Sequence, residues 1–228
     1  NSPYKSSSSF AGEILYIDLE FLVRDGLLCE NDIQECSFDK NVDYDVLRKF
    51  KLPLLKKAVK SFDIQNKNYK SFLRENDFWL EDYSLFEAAF EIYNAKSISE
   101  LPEGFKYKVP DFIDVFKQKY KDTIDFYKIT QYFFFCQYYE LKRYANEKGI
   151  KIIGDIPFYV SPDSADVWGN PDDFLVDRDF IPTAVAGVPP DVFSEKGQLW
   201  GNPIYNWENM RESGYRWWCS RLRFCKDL

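Results

Sequence analysis

The sequence predicts an α/β fold on three observations. Phe134, Tyr138, Leu141 and Ala145 are spaced four, three and four apart in a segment that stops at Gly149, the pattern of an amphipathic helix with a glycine cap. That glycine leads directly into GIKIIGDIPFYV, where Ile150, Ile152 and Ile153 read as a short buried strand. Residues 161–206 come next, rich in Asp, Asn, Pro and Gly and without a period, and a second helix opens at Trp207. Helix, strand, long loop, helix is a piece of parallel α/β architecture. Working residues in such folds lie at the C-terminal ends of strands and in the loops beyond them, and Asp155 holds that position.

The remaining elements are taken in chain order. Residues 1–12, NSPYKSSSSFAG, read as a loop, Ser-rich and punctuated by Pro3 and Gly12. EILYIDLEFLVRDGLL begins as a strand-like apolar run, then sets Leu19, Leu22 and Val23 at helical spacing up to Gly26. From about 43 to 128 the text is helical and charged. Tyr44, Leu47, Phe50, Leu54, Leu55 and Ala58 mark one amphipathic helix, which Pro53 should kink or divide. Leu85, Phe86, Ala89, Phe90 and Tyr93 mark another, with Asp82 as its cap. Phe112, Val115, Phe116 and Tyr120 suggest a third. Near the end, Trp207, Met210 and Arg211 open a helix that Tyr215, Trp218, Leu222 and Cys225 continue.

Composition excludes several classes of function. The 228 residues carry 30 basic and 37 acidic side chains, and the net charge of −7 argues against nucleic acid and anionic membranes as partners. No apolar run approaches the ~18–20 residues of a membrane span. Histidine is absent, which removes Ser-His-Asp and Cys-His nucleophile pairs, His–metal sites and imidazole acid–base chemistry. Cys29, Cys36, Cys136, Cys219 and Cys225 are odd in number and lack C-x-x-C spacing. With no secretory leader evident, they read as reduced thiols of a cytoplasmic protein, packed as small buried hydrophobes. Met210 is the only methionine, so Asn1 is not a translation start and the chain reads as a piece of a longer one.

The candidate chemistry lies in the aperiodic stretch. Asp163, Ser164, Asp166, Trp168, Asn170, Asp172 and Asp173, then Asp191, Gln198, Trp200 and Asn202, set planar aromatics beside short polar groups. A carbohydrate asks for that combination: a ring covers the C–H face of a pyranose, while Asp, Asn and Gln meet its hydroxyls. A self-packed loop with its own small aromatic core fits the same composition. So many acids also raise calcium, but the D-x-D-x-D-G pattern is missing, and neither a metal nor a cofactor is expected. Within 186–203, AGVPPDVFSEKGQLWGNP, apolar residues neither alternate nor recur at helical spacing.

Four stretches carry a resemblance. NSPYKSSSSFAG, NDFWLEDYSLF, ANEKGIKIIGDIPFYVSPDSADVWGNPDDFLVD and VAGVPPDVFSEKGQLWGNPIYNWENM resemble the bacterial and plastid 4-alpha-glucanotransferases, also called amylomaltase or disproportionating enzyme. The resemblance runs along the whole chain and weakens across about 30–80 and 95–128, where SISELPEGF lacks a Trp usual in the family. It implies part of a (β/α)8 TIM barrel with an inserted, mainly helical subdomain. Residues 1–13 would then be the loop after barrel strand two, 14–128 the insertion, and 129–228 a barrel segment holding strand three at 150–155.

The resemblance also implies a reaction, the transfer of α-1,4-glucan segments between maltooligosaccharides or starch chains by a retaining double displacement. Carried over by position, Asp155 matches an acid of the substrate site, Ser2 and Tyr4 a turn lining the donor-side sugar. Asp191, Phe193, Gln198 and Trp200 fall in a loop covering the acceptor-side sugars. The family's nucleophile, acid/base and third carboxylate fall beyond Leu228, so no catalytic residue is expected within 1–228. The implied partners are α-1,4-glucans, in a cytoplasm or, in a plant, a plastid. Two other readings are a non-catalytic glucan-binding module and an amylase-like hydrolase, which would release glucose rather than redistribute oligomers.

Overall fold

A computed structural model describes residues 5–33 and 41–228. Its helices are α1 (Leu19–Arg24), α2 (Tyr44–Ser61), α3 (Lys67–Glu75), α4 (Asp77–Tyr93), α5 (Glu103–Lys106), α6 (Pro110–Lys119), α7 (Lys121–Glu147), α8 (Ala165–Gly169), α9 (Trp207–Glu212) and α10 (Arg216–Asp227). Among the described residues the sheet is a single antiparallel pair, β1 (Val185–Val188) with β2 (Gln198–Pro203). The chain divides into two compact units. One comprises Asn1–Ala11, Glu81–Ile124 and Ile153–Leu228, the other Gly12–Leu80 and Asp125–Ile152. Among the described residues no helix is long and apolar enough to cross a membrane.

In the second unit an aromatic core joins three helices. Phe62, just past α2, meets Tyr69 of α3 and Phe133 of α7 edge-on, each at 5.3 Å between centroids. Leu55 and Ala58, on the apolar stripe of α2, are buried as their spacing requires. Asp43 caps α2 through Oδ1, which accepts the Asp45 and Val46 amides at 2.9 and 3.1 Å. Pro53 does not divide this helix, which runs unbroken from Tyr44 to Ser61.

The strand-like run EILYIDL is not a strand. Ile14–Tyr16 forms a single 3-10 turn, and side chains take over the role of a sheet partner. Gln131 of α7 both accepts from the Gly12 amide and donates to the Gly12 carbonyl, each at 2.8 Å. Gln137 does the same for Asp18 at 2.7 and 2.9 Å. Lys51 Nζ donates to the Leu15 and Ile17 carbonyls at 2.7 Å. With its backbone groups satisfied in this way, the segment needs no neighbouring strand.

In the first unit the core centres on Trp168, 1% exposed and stacked on Phe105 at 4.8 Å with 8° between the planes. Its indole Nε1 donates to the Phe105 carbonyl at 3.3 Å, and Lys108 Nζ lies 4.3 Å over the ring. Lys108 also donates to both oxygens of Asp82. Asp82 therefore does not cap α4, which begins at Asp77 and contains it. Leu85, Phe86 and Ala89 of α4 are buried as their spacing requires.

Other sequence expectations fail for identifiable reasons. The described residues are mostly helical, as expected of the inserted part, with no parallel sheet among them, and they do not by themselves show the barrel. Residues 151–156 take no regular structure, and Ile150, Ile152 and Ile153 are exposed, Ile153 to 93%. A parallel strand is built by pairing on both sides, and no described strand flanks this one. Helix α7 begins at Lys121, and its buried positions include Ile129, Phe133 and Phe135, whereas Leu141 of the expected stripe is exposed. Gly149 does end it, at φ +77°, with the Ile150 amide donating to the Ala145 carbonyl. The last expected helix is two, α9 and α10, broken where Gly214 and Tyr215 both take positive φ. Cys29 and Cys136 are exposed and Cys219 and Cys225 half-buried, so these four are not the buried hydrophobes expected. Cys36 lies outside the described residues.

Candidate functional site

The aperiodic stretch separates into a packed half and a presented half. In the packed half, Ser164 caps α8 by accepting the Val167 amide, and Asp163 accepts the Ile98 amide at 2.8 Å. Asp166 is buried and accepts the Ser9 amide at 2.7 Å. Burial pushes its carboxyl up to about 6, against the opposing pull of the Ser9 amide and the Arg221 charge. Trp168, Asp166 and Ser164 thus belong to a self-packed core.

The presented half is a β-hairpin, contrary to the aperiodic loop expected over 186–203. Val185 pairs with Pro203, Gly187 with Leu199 and Val188 with Gln198, and a bulge lies between the first two pairs. Three residues, Trp200, Gly201 and Asn202, oppose Ala186 there, and this breaks the alternation that would otherwise mark a strand. Gly187 allows the strands to close, because a Cβ on it would lie 2.3 Å from the Gln198 carbonyl oxygen. At the tip, past Pro189 and Pro190, Asp191 Oδ1 accepts the Phe193 and Ser194 amides, both at 2.9 Å. Ser194 Oγ donates to the Gly197 carbonyl at 2.7 Å. This bonded turn leaves Val192 and Phe193 exposed, Phe193 to 88%.

On β2, Trp200 is 42% exposed and its Nε1 donates to Gln198 Oε1 at 3.1 Å. Tyr159 backs it, with ring centroids 6.2 Å apart, and Tyr205 lies parallel to Tyr159 at the same separation and 15°. Asp155 is exposed on the segment just before Tyr159. The structure thus brings Gln198, Trp200 and Tyr159 together and leaves Asp191 and Phe193 at the hairpin tip. Ser2 and Tyr4 lie outside the described residues.

Sequence reading missed Tyr205 and Arg221, and took Asn202 as a polar group for a sugar, whereas all three hold this arrangement. Asn202 Nδ2 donates to the Val160 carbonyl at 2.7 Å, Tyr205 Oη to the Phe158 carbonyl at 2.6 Å, and Arg221 Nη2 to the Pro157 carbonyl. Burial raises the Tyr205 hydroxyl above its ordinary range and so keeps it a donor. The chain does carry one signal of this: Arg221 comes four residues after Trp217 and three before Phe224, a cation set between aromatics on one helix face.

The chain is similar to known proteins. The profile of the 4-alpha-glucanotransferase family matches residues 1–228. A 4-alpha-glucanotransferase of Clostridium butyricum is 40% identical over 228 residues, which cover 98% of this chain and 47% of that protein. One from Aquifex aeolicus is 43% identical over 97% of this chain and 45% of its own length. A rice relative (Oryza sativa subsp. japonica), named as chloroplastic/amyloplastic, is 39% identical over 100% of this chain and 39% of its own. Among solved structures, the amylomaltase of Streptococcus agalactiae in complex with acarbose is similar at a TM-score of 0.91 and 42% identity. That likeness covers 98% of this chain and 46% of the amylomaltase. The chain spans less than half the length of each of these relatives.

Proposed function

The chain belongs to the 4-alpha-glucanotransferase family, and from that premise we propose that the whole protein moves α-1,4-glucan segments between maltooligosaccharides or starch chains by a retaining double displacement. Residues 1–228 furnish part of the substrate cleft, while the carboxylate nucleophile and acid/base come from outside them. In this reading Ser2 and Tyr4 line the donor-side sugar, Asp155 is a residue of the substrate site, and Asp191, Phe193, Gln198 and Trp200 cover the acceptor side. Residues 150–155 become barrel strand three, residues 1–13 the loop after strand two, 14–128 the inserted helical part and 129–228 a barrel segment. The protein works in a cytoplasm or a plastid.

The observation that carries the reading is the hairpin. It presents a half-exposed Trp200, with Gln198 hydrogen-bonded to the indole and Tyr159 behind it, on a framework whose tip is fixed by its own hydrogen bonds. An aromatic platform beside an amide suits a pyranose face and its hydroxyls. A transferase also needs a cover, because the covalent glycosyl intermediate must meet a sugar before it meets water.

The test is incubation of the complete protein with maltotriose. Transfer yields longer maltodextrins together with glucose, whereas release of glucose and maltose without longer products would identify a hydrolase. No product at all, with retained glucan binding, would identify a binding module. Within the complete protein, Asp155→Asn should lower kcat more than it raises KM, since hydrogen bonds to sugar hydroxyls strengthen as the ring distorts toward the transition state. Unchanged kcat would remove Asp155 from the site.

A further inference from the structure

We propose that Asn202 is a positioning residue for Trp200, holding the foot of the hairpin against Val160 so that the indole stays beside Tyr159. The proposal rests on the reading that Trp200 carries the acceptor sugar. Asn202 is 7% exposed, and its Nδ2 donates to the buried Val160 carbonyl at 2.7 Å. Its amide thus serves the protein and not a sugar.

The hairpin's internal bonds give it a shape but do not set its place against residues 158–160. The β1–β2 ladder, the bond from the Trp200 indole to Gln198 and the bonded tip all lie within it. At its foot, the Ile204 amide donates to the Ala184 carbonyl and the Leu175 amide to the Ile204 carbonyl, which join it to a different stretch of chain. Phe158, Tyr159 and Val160 meet the hairpin side through three side chains in turn. Tyr205 Oη donates to the Phe158 carbonyl, Trp200 lies against the Tyr159 ring, and Asn202 donates to the Val160 carbonyl. The middle contact is made by rings alone, tilted at 57° with centroids 6.2 Å apart, and a hydrogen bond flanks it on each side. Dispersion between rings falls off steeply with separation, so the flanking bonds decide whether the pair stays in contact.

The Asn202 bond lies close to the ring pair on both sides, Val160 next to Tyr159 and Asn202 two residues after Trp200. Burying an amide is costly unless it is hydrogen-bonded, and an apolar side chain would fill the place without that requirement. What an apolar side chain could not do is hold the Val160 carbonyl. The complete fold proposed above agrees with this role. Val160 comes five residues after the end of barrel strand three, so pairing of that strand would anchor Val160, and Asn202 would pass the anchor to the hairpin.

A double-mutant cycle in the complete protein tests this, with maltotriose as donor and labelled glucose as acceptor. Labelled oligosaccharide measures transfer, and the net gain of reducing ends measures hydrolysis. Asn202→Ala should lower the ratio of transfer to hydrolysis by about 5- to 20-fold, because a displaced platform penalises a sugar and not water. In a Trp200→Ala background the same substitution should change that ratio by less than about twofold, since no platform remains to misplace. Tyr159→Leu removes the ring behind Trp200, keeps the Asn202 bond, and alters a half-buried side chain. It should lower the ratio by about three- to tenfold in the same Trp200-dependent way, and it decides the matter if Asn202→Ala does not fold. An unchanged ratio, or losses of the same size with and without Trp200, would overturn the positioning role while leaving the acceptor-site reading intact. A normal ratio for Trp200→Ala alone would overturn that reading, and the inference with it.

Discussion

Trp168 and Trp200 come from the same aperiodic stretch and have opposite surroundings. Trp168 stacks flat on Phe105 and is sealed from solvent, whereas Trp200 keeps 42% of its surface open. Trp168→Ala should therefore cost about 3–5 kcal/mol of stability, visible as a large drop in thermal midpoint. Trp200→Ala should leave the midpoint within about 2 °C, yet lower transfer more than hydrolysis in the complete protein, because water needs no platform. Equal loss of both activities together with a lowered midpoint would make Trp200 a core residue. Asp166 gives a pH-dependent test. Burial raises its folded-state carboxyl to about 6, above the ordinary value of about 3.9, so the folded protein holds that proton more tightly. This group's contribution to stability is fully present below about pH 4 and falls as pH rises toward 6. Asp166→Asn, which can still accept the Ser9 amide, should gain midpoint relative to the parent across that window. Parallel midpoint curves from pH 4 to 7 would show that the carboxyl titrates normally.

At the scale of elements, the hairpin β1–β2 depends on a glycine at its tip. Gly197 takes φ +70°, and a Cβ there would sit 2.5 Å from the Val188 carbonyl oxygen. Gly197→Ala is therefore strained in both conformation and space, by about 1–2 kcal/mol from the left-handed backbone alone. The hairpin tip lies outside the core, although Ala186 and Asn202 at its base are buried, so the loss should be local. Amide exchange over 198–203 should accelerate while the core of α4 and α7 keeps its protection. Acceleration throughout the chain would mean that the hairpin is integral to the fold. Helices were the most legible elements because their signals are local. The apolar spacing of α2 and α4 and the glycine after α7 each act within a turn or two of chain. Their errors are local too. Asp82 resembles a cap in sequence, but its partner Lys108 comes from a separate part of the chain.

At the scale of the whole molecule, the exposed isoleucines of 150–156 decide how the chain behaves by itself. Ile150, Ile152, Ile153 and Ile156 are all exposed, an apolar run that barrel neighbours would cover in the proposed complete fold. Purified residues 1–228 should bind an apolar dye such as ANS at neutral pH and yield no detectable product from maltotriose. The complete protein should do the reverse. Products from residues 1–228 would place a working carboxylate pair within them.

The sequence alone determined the family, through long motifs around Asp155 and the Pro189–Pro190 hairpin, and it determined most helices, whose hydrogen bonds and caps close over a few residues. Tertiary structure decided which aromatic packs and which is presented, because Trp168 and Trp200 have the same chemistry and differ only in what lies opposite them. It also decided that EILYIDL is no strand, since distant Gln131, Gln137 and Lys51 satisfy its backbone. Strand formation at 150–155 lies beyond local signals for the same reason. A strand is completed by partners remote in sequence, and apolar residues record only the need to be covered, not the element that covers them.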